Sequence, residues 1–470
     1  MTELRKHPST TRARPWLTVS VLATLAASIA LLSPSLAAGT TLLIGLLLVG
    51  LYSIPAALLL LVLTAPWASV ANVITDGRLV PLGLDLCLIV LTASLLLSER
   101  AQFDRTATIG IAGASMTALL GIVGMFNPRG LPLLGGMEGF RAFFLPLLAV
   151  PVGAHLARRS PGLPRRLRNT IAAAAVLIAL MGIRQVVSVS PIDMAIIEHS
   201  QSGILPFEIT GTNRLRAFSP LPGPFHFGFL MMVAIVIATA SSLEGTRNSL
   251  VMGLPVFLGA ITLNATRLNW LGTSSAVLVL LVLSLRRSQL IRLGARLAVV
   301  GAVVAAVFWI LLQTDVIAPI GGLATSMLDP ATNSSLVYRL LGWQHDVLPA
   351  IGVAPWTGYG TGMAKDGLGP FTSHNVVLKI LLEGGALLLA VFIVTLLAIV
   401  TALLRRRSQV AARVGLALIV GVLVAGMFGP ILDTYPGNLY FWLLIGCAIG
   451  SELPDGSTAP ATSPGRSIEG

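Results

Sequence analysis

Ser373-His374-Asn375-Val376-Val377-Leu378-Lys379-Ile380-Leu381-Leu382-Glu383-Gly384-Gly385 opens a stretch that stays apolar to Leu404. It is longer than the ~20 residues a helix needs to cross a bilayer. Yet it begins with an imidazole and a carboxamide, and it carries a lysine and a carboxylate inside the apolar run. Ionisable groups in a membrane segment are costly and read as functional by default. The stretch therefore decides the fold, a membrane helix, and marks where the chemistry is expected.

The rest of the 470-residue chain is of the same kind. It is 55% hydrophobic and 11% charged, with a mean hydropathy of +0.87. No soluble globular domain has this composition, and apolar runs of about 16–20 residues recur along it, so the expected class is an all-α polytopic membrane protein. The net charge is +12. A nucleic-acid-binding protein would gather its basic residues on a soluble face. Here most lie between apolar runs, so no nucleic-acid partner is expected. Cys87 and Cys447 each sit inside an apolar run and support neither a disulfide framework nor a cysteine metal site.

Basic residues in short loops mark the cytoplasmic side. The strongest clusters are Arg158-Arg159 with Arg165, Arg166 and Arg168, then Arg286-Arg287 with Arg292 and Arg296, then Arg405-Arg406-Arg407 with Arg413. Helices are expected near 16–33, 39–51, 54–68, 80–97, 107–126, 140–157, 170–188, 225–241, 248–265, 268–285, 297–313, 375–404, 411–429 and 438–452. That is about fourteen spans, or twelve if the weak pair at 39–68 does not cross. The organisation read from this is a cytoplasmic segment 1–15, a bundle 16–452, and a Pro/Ser/Gly/Thr-rich cytoplasmic tail 453–470, expected to be disordered. The longer connections, 69–79, 127–139, 189–224 and 314–374, all face outward. The last is too long to be a mere connector.

These outward segments hold arginines against the positive-inside trend: Arg141, Arg214, Arg216, Arg267 and Arg339. One such arginine reads equally as a snorkelling or ion-paired side chain. Several near one membrane surface read as an anion-binding cage, because guanidinium binds phosphate bidentately and keeps its charge when partly buried. His374 is the candidate general base, since an imidazole ordinarily titrates near neutrality; an interfacial capping histidine is the plainer alternative. Asn375 is a candidate substrate contact or the N-cap of the long helix. His226, in Pro222-Gly223-Pro224-Phe225-His226, is a second substrate-binding candidate or a core residue. Glu383 follows Lys379 by four residues, a helical pair expected to be structural. It stands nine residues after His374, roughly 180° away on one helix, so it is not that imidazole's partner. Arg184 and Asp85 lie in apolar runs and are expected to pair inside the bundle. No Asp-x-Asp pair and no His/Asp/Glu cluster with ligand spacing occurs in the outward segments, so neither a metal nor another cofactor is expected.

The pattern His374-Asn375-x-x-Leu378-x-x-Leu381-x-Glu383-x-Gly385 resembles the signature of the O-antigen ligase/polymerase family (Wzy/WaaL-like membrane glycosyltransferases). The Arg-x-Arg element at 214–224, Thr266-Arg267, and Arg339…Trp343…Pro355-x-x-Gly358-x-Gly360 resemble further elements in the family's order. The resemblance covers about residues 200–400. It implies a GT-C-like bacterial inner-membrane enzyme with one large external loop. Such an enzyme moves an oligosaccharide from a polyprenyl-pyrophosphate donor to a glycan, lipid or protein acceptor, inverting the anomeric centre without a metal. It also implies that His374 activates the acceptor and that Arg216, Arg267 and Arg339 bind phosphate or sugar. Pro224-Phe225-His226 departs from the family's usual Pro-Asn, and the many helices before the large loop favour a polymerase-like or undefined member. A transporter for lipid-linked oligosaccharide is the rival reading, with its charges along a pathway through the bundle. A non-catalytic envelope scaffold is a weaker third.

Overall fold

The computed structural model describes residues 53–75, 79–96, 103–199, 207–208, 215–245, 249–285, 334–365 and 367–451. The expected helices at 16–33, 39–51 and 297–313, the segments 1–15 and 453–470, and Arg214 lie outside these residues. The helices are α1 (Ile54–Thr64), α2 (Ala68–Thr75), α3 (Leu79–Leu96), α4 (Arg105–Gly124), α5 (Leu133–Phe143), α6 (Ala149–Arg159), α7 (Leu163–Val187), α8 (Pro191–His199) and α9 (Pro224–Leu243). There follow α10 (Ser249–Met252), α11 (Leu254–Asn264), α12 (Arg267–Ser284), α13 (Ser334–Gly342), α14 (Leu348–Val353), α15 (Val376–Arg405), α16 (Val410–Gly426) and α17 (Gly437–Gly450). The protein is thus an all-helical, multi-pass membrane protein; among the described residues the only β pairing is one isolated bridge, Glu208–Leu215.

Among the described residues six helical runs are long and apolar enough to cross a membrane, namely Ile54–Val73, α4, α7, α9, α12 and α15, and the pair α5–α6 makes a seventh if it counts as one span. Two of them depart from the expected boundaries for local reasons. The segment expected as one helix at 140–157 is α5 and α6, bent by 46°. Between them lies the turn Leu145–Leu148, whose Pro146 has no backbone N–H to continue the ladder. α7 begins at Leu163, so Arg165, Arg166 and Arg168 stand in its first turns and not in a loop. The segment read as loop 189–224 contains α8, and the described part of 314–374 is largely helical, α13 and α14 joined by the π turn Trp343–Val347.

α9 and α17 form the centre; every residue of α17 is buried, as is most of α9. α12 and α16 approach closely, since a Cβ on Gly421 would fall 2.7 Å from the Gly272 carbonyl oxygen. The two ends of the bundle differ in chemistry. At one end the buried Arg406 donates to the Ala402 and Ser451 carbonyls, both at 3.1 Å. It also pairs with Asp104, whose carboxylate caps α4 at the Ala107 N–H. The described basic clusters gather at this end. The opposite end holds the turn between α11 and α12, the segment 334–375 and the connection between α16 and α17.

α15 is not the continuous helix expected. Gly385 breaks it with φ 66° and ψ −167°, a region open essentially to glycine alone. A Cβ there would lie 2.2 Å from the Trp356 carbonyl carbon. Gly385→Ala is therefore expected to cost at least ~1–3 kcal/mol. The measurement is the thermal midpoint of the detergent-solubilised protein by gel filtration, and an unchanged midpoint would contradict the break.

Candidate functional site

The break in α15 exposes backbone groups inside an apolar bundle, where each needs an internal partner. The loop after α14 supplies them. Tyr359 and Gly360 N–H donate to the Leu382 and Glu383 carbonyls at 2.7 and 2.8 Å, and Ala386 and Leu387 N–H donate to the Pro355 and Trp356 carbonyls at 2.7 and 3.4 Å. The loop is anchored on α4 by the Thr361 hydroxyl, which donates to the Gly121 carbonyl at 2.7 Å. Asn127 Nδ2 donates to the Gly358 carbonyl at 3.2 Å. The glycine-rich stretch Val353–Gly362 is thus the clasp that holds the broken helix.

One turn before the break, Lys379 and Glu383 pair at 2.7 Å, both buried. Lys379 also reaches Asp433 at 3.3 Å and lies 5.5 Å from the centre of the Phe143 ring. Glu383 Oε1 accepts from the Ala364 N–H at 3.3 Å. The helical pair was legible from its spacing, but Asp433 was not, because it arrives from another connection. Lys365 joins this charged group. Burial pushes its ammonium below its ordinary value, while Glu138 and Asp433 oppose that shift and Lys379 and Arg141 add to it. The charge of Lys365 also bears on His226, at the start of α9.

The arginines and the histidine meet around the C-terminal end of α16. Helix ends leave carbonyls without intrahelical partners. Asn375 Nδ2 donates to the Met427 carbonyl at 3.0 Å, and Arg339 Nη1 donates to the next one, Phe428. Leu268, next to Arg267, packs on Gly429, where a Cβ would fall 2.7 Å from its side chain. Trp343 Nε1 donates to the Ser373 carbonyl, tying the segment after Arg339 to the residue before His374. His374, Arg339 and Arg267 therefore enter the same region on three different elements.

Arg216 completes the group. Its segment is pinned from both sides. Gln185 Oε1 accepts from the Phe218 and Ser219 N–H groups, both at 3.0 Å. Asn264 Nδ2 donates to the Ala217 and Pro224 carbonyls, both at 2.8 Å. Arg216 Nε donates to the Glu208 carbonyl at 2.9 Å. Burial, then the charges of Arg267 and Arg339, hold the Arg216 guanidinium below its ordinary value. Two half-buried guanidiniums whose charges bear on a third, also half-buried, form a region of positive potential that favours an anion.

Other expectations resolve differently. Asn375 is the N-cap of α15, its Oδ1 accepting from Val377 and Leu378 N–H at 2.8 and 3.1 Å. With its Nδ2 on Met427, its carboxamide is engaged at both ends. His374 itself adopts φ 42°, a left-handed conformation that histidine tolerates better than most residues. Arg141 pairs with Asp85, and Arg184 pairs with Asp193 at 2.9 Å, so the expected Arg184–Asp85 pair does not form. Asp193 is the better partner for Arg184 because it stands in the first turn of α8, a short connection after α7, already fixed by the Ser190 N–H at 2.7 Å. Gln185 and Asn264 are positioning residues that sequence reading passed over. Their signal was a carboxamide inside an apolar helix, which must find hydrogen-bond partners. Among the described residues no group of His, Cys, Asp and Glu side chains is arranged to hold a metal ion.

Residues 251–393 match the family model described as O-Antigen ligase. The match supports assignment of the chain to the O-antigen ligase/polymerase family. The matched region runs from α10 into α15 and contains Arg267, Arg339, the clasp loop, His374 and the Lys379–Glu383 pair; Arg216, His226 and the α16 hub lie outside it. The family indicates O-antigen ligase-type membrane glycosyltransferase activity. No curated protein matches the chain.

Removing Lys379 would take the ammonium away from the buried Glu383 carboxylate and from Asp433 beside it. Lys379→Met is expected to destabilise by ~3–5 kcal/mol, read as a lowered thermal midpoint and reduced membrane yield. A midpoint at the wild-type value would show that the three charges do not act as a unit.

Proposed function

We propose that this protein transfers or polymerises oligosaccharide units from a polyprenyl-pyrophosphate donor onto a glycan acceptor, at the external face of the bacterial cytoplasmic membrane, building a surface polysaccharide. The observation that carries the reading is the meeting of Arg216, Arg267 and Arg339 beside the His374 segment at the end of α16. That end lies opposite the basic clusters, which by the positive-inside trend belong to the cytoplasm.

In this reading His374 takes the proton of an acceptor hydroxyl as its oxygen attacks the anomeric carbon. The attack comes from the face opposite the pyrophosphate, so the new glycosidic bond forms as the carbon–oxygen bond to the pyrophosphate breaks, and the configuration inverts. The leaving pyrophosphate gains negative charge, and the three guanidiniums take it up; fixed donors aimed at developing charge are a large source of rate. The arginines fill the role that a metal would have in other transferases. Asn375 acts by holding the start of α15, and so His374, against α16. His226 and Lys365 stand farther along the same end, where sugar units of donor or acceptor would lie. The number of helices before the large loop favours polymerase work over ligation to a lipid or protein acceptor.

His374→Asn keeps a residue that tolerates positive φ while removing the imidazole. It is expected to fold and to lose transfer by ~10²–10⁴-fold. Arg339→Gln is expected to lose ~10²–10³-fold. Both are read in membranes supplied with lipid-linked donor, together with the glycan chain-length distribution in a deletion strain carrying each variant. A folded His374→Asn protein with wild-type chain lengths would overturn the assignment. Single repeat units accumulating on the carrier in the deletion strain indicate a polymerase, and long chains retained on it indicate a ligase.

A further inference from the structure

The basic end of the bundle, opposite His374, contains a cavity of about 340 Å³. That volume falls at the lower end of the range for small-molecule sites, roughly 300–1,000 Å³. Its walls come from the end of α6, the start of α7, the end of α9 and the start of α16, with Arg165, Arg168, Glu244, Val410, Ala411 and Ser451 among the lining residues. Nothing in the transfer reaction uses it.

Three features of these walls point to an anion. Arg168 Nε and Nη1 are buried with no hydrogen-bond partner among the described residues. Its Nη2 lies 3.7 Å from Glu244, an ion-pair distance beyond a hydrogen bond. Buried charged donors left unmade are costly. Arg165 stands close enough for its charge to bear on Arg168, which adds a second cation. Finally, the cavity opens at the starts of α7 and α16, neither of which is capped by a side chain, so two positive helix ends face it, although at α7 the Leu163 N–H already donates to the Ser160 carbonyl at 2.8 Å. Against these stands one carboxylate, Glu244.

We propose that this cavity binds a phosphate group, carried by an anionic lipid headgroup or free in solution. A phosphate matches the guanidinium fork and offers enough acceptor oxygens for Arg168, Arg165 and helix N–H groups at once. Because α7 crosses the membrane and begins at this cavity, the site stands at headgroup depth. Basic pockets between membrane helices on the cytoplasmic side are where anionic headgroups bind.

The test uses the purified chain in phosphate-free detergent solution. Thermal midpoint and retained lipid by native mass spectrometry are followed against phosphatidylglycerol, phosphatidylcholine and inorganic phosphate. Phosphatidylglycerol should raise the midpoint and be retained, and phosphatidylcholine should not. Arg165→Gln and Arg168→Gln should each raise the half-effective concentration by about tenfold or more, while Arg216→Gln, at the other end, should leave it unchanged. Arg165 is exposed, so its variant keeps the test decisive if Arg168→Gln fails to fold. The same arginine-dependent protection by inorganic phosphate would support the site with a soluble ligand. Protection that is insensitive to Arg165 and Arg168, or that is lost in Arg216→Gln instead, would overturn the proposal without touching the transfer reaction.

Discussion

A helix inside an apolar bundle can break only where something else takes its hydrogen bonds. At Gly385 the loop 355–360 does so, donating to the carbonyls before the break and accepting from the N–H groups after it. Much of the candidate site depends on that exchange. It fixes the half of α15 that carries Asn375 at its start and the Lys379–Glu383–Asp433 group on its inner side. It also binds the segment 334–362 to the bundle, because the same loop is anchored on α4 through Thr361 and on the turn after α4 through Asn127. At Gly358 and Gly385 two backbones come too close for a Cβ.

The arginine cluster rests on a second constraint. The last carbonyls of α16 point into the region where the positive charges gather, and a helix C-terminus favours cations. Arg339 and Asn375 occupy consecutive carbonyls there, so the helix end aligns the guanidinium and the histidine-bearing segment together. The mutual repulsion of Arg216, Arg267 and Arg339 is tolerated because each backbone is held independently. Gln185 and Asn264 pin the Arg216 segment, α12 holds Arg267, and the Trp343 contact supports the stretch after Arg339. Arg141 and Arg184, by contrast, are held by the carboxylates of Asp85 and Asp193.

Much of the membrane character was legible in the sequence, because burial in lipid demands long apolar runs whatever the tertiary packing. The described basic clusters likewise fall at one end of the bundle. The boundaries that moved did so where local chemistry competes with hydropathy. Pro146 splits one span, α7 extends seven residues into a basic stretch that a hydropathy reading ends early, and Gly385 interrupts the longest apolar run. None of these changes the average apolarity by which spans are recognised.

For the site, the sequence alone determined the inventory: a histidine-asparagine pair at the mouth of a membrane helix, a Lys–Glu pair one helical turn apart, and arginines on several segments between the apolar runs. Short-range spacing is enough for such features, since a helix fixes which residues share a face. Only the tertiary structure decided the partners. Asp433 joins Lys379 from another connection, Asp85 takes Arg141, Asp193 takes Arg184, and Arg216, Arg267 and Arg339 meet at the end of α16. Each of these pairings except Arg184–Asp193 spans tens of residues or more, and which charge finds which depends on how helices pack, a property of distance in space that no local pattern encodes.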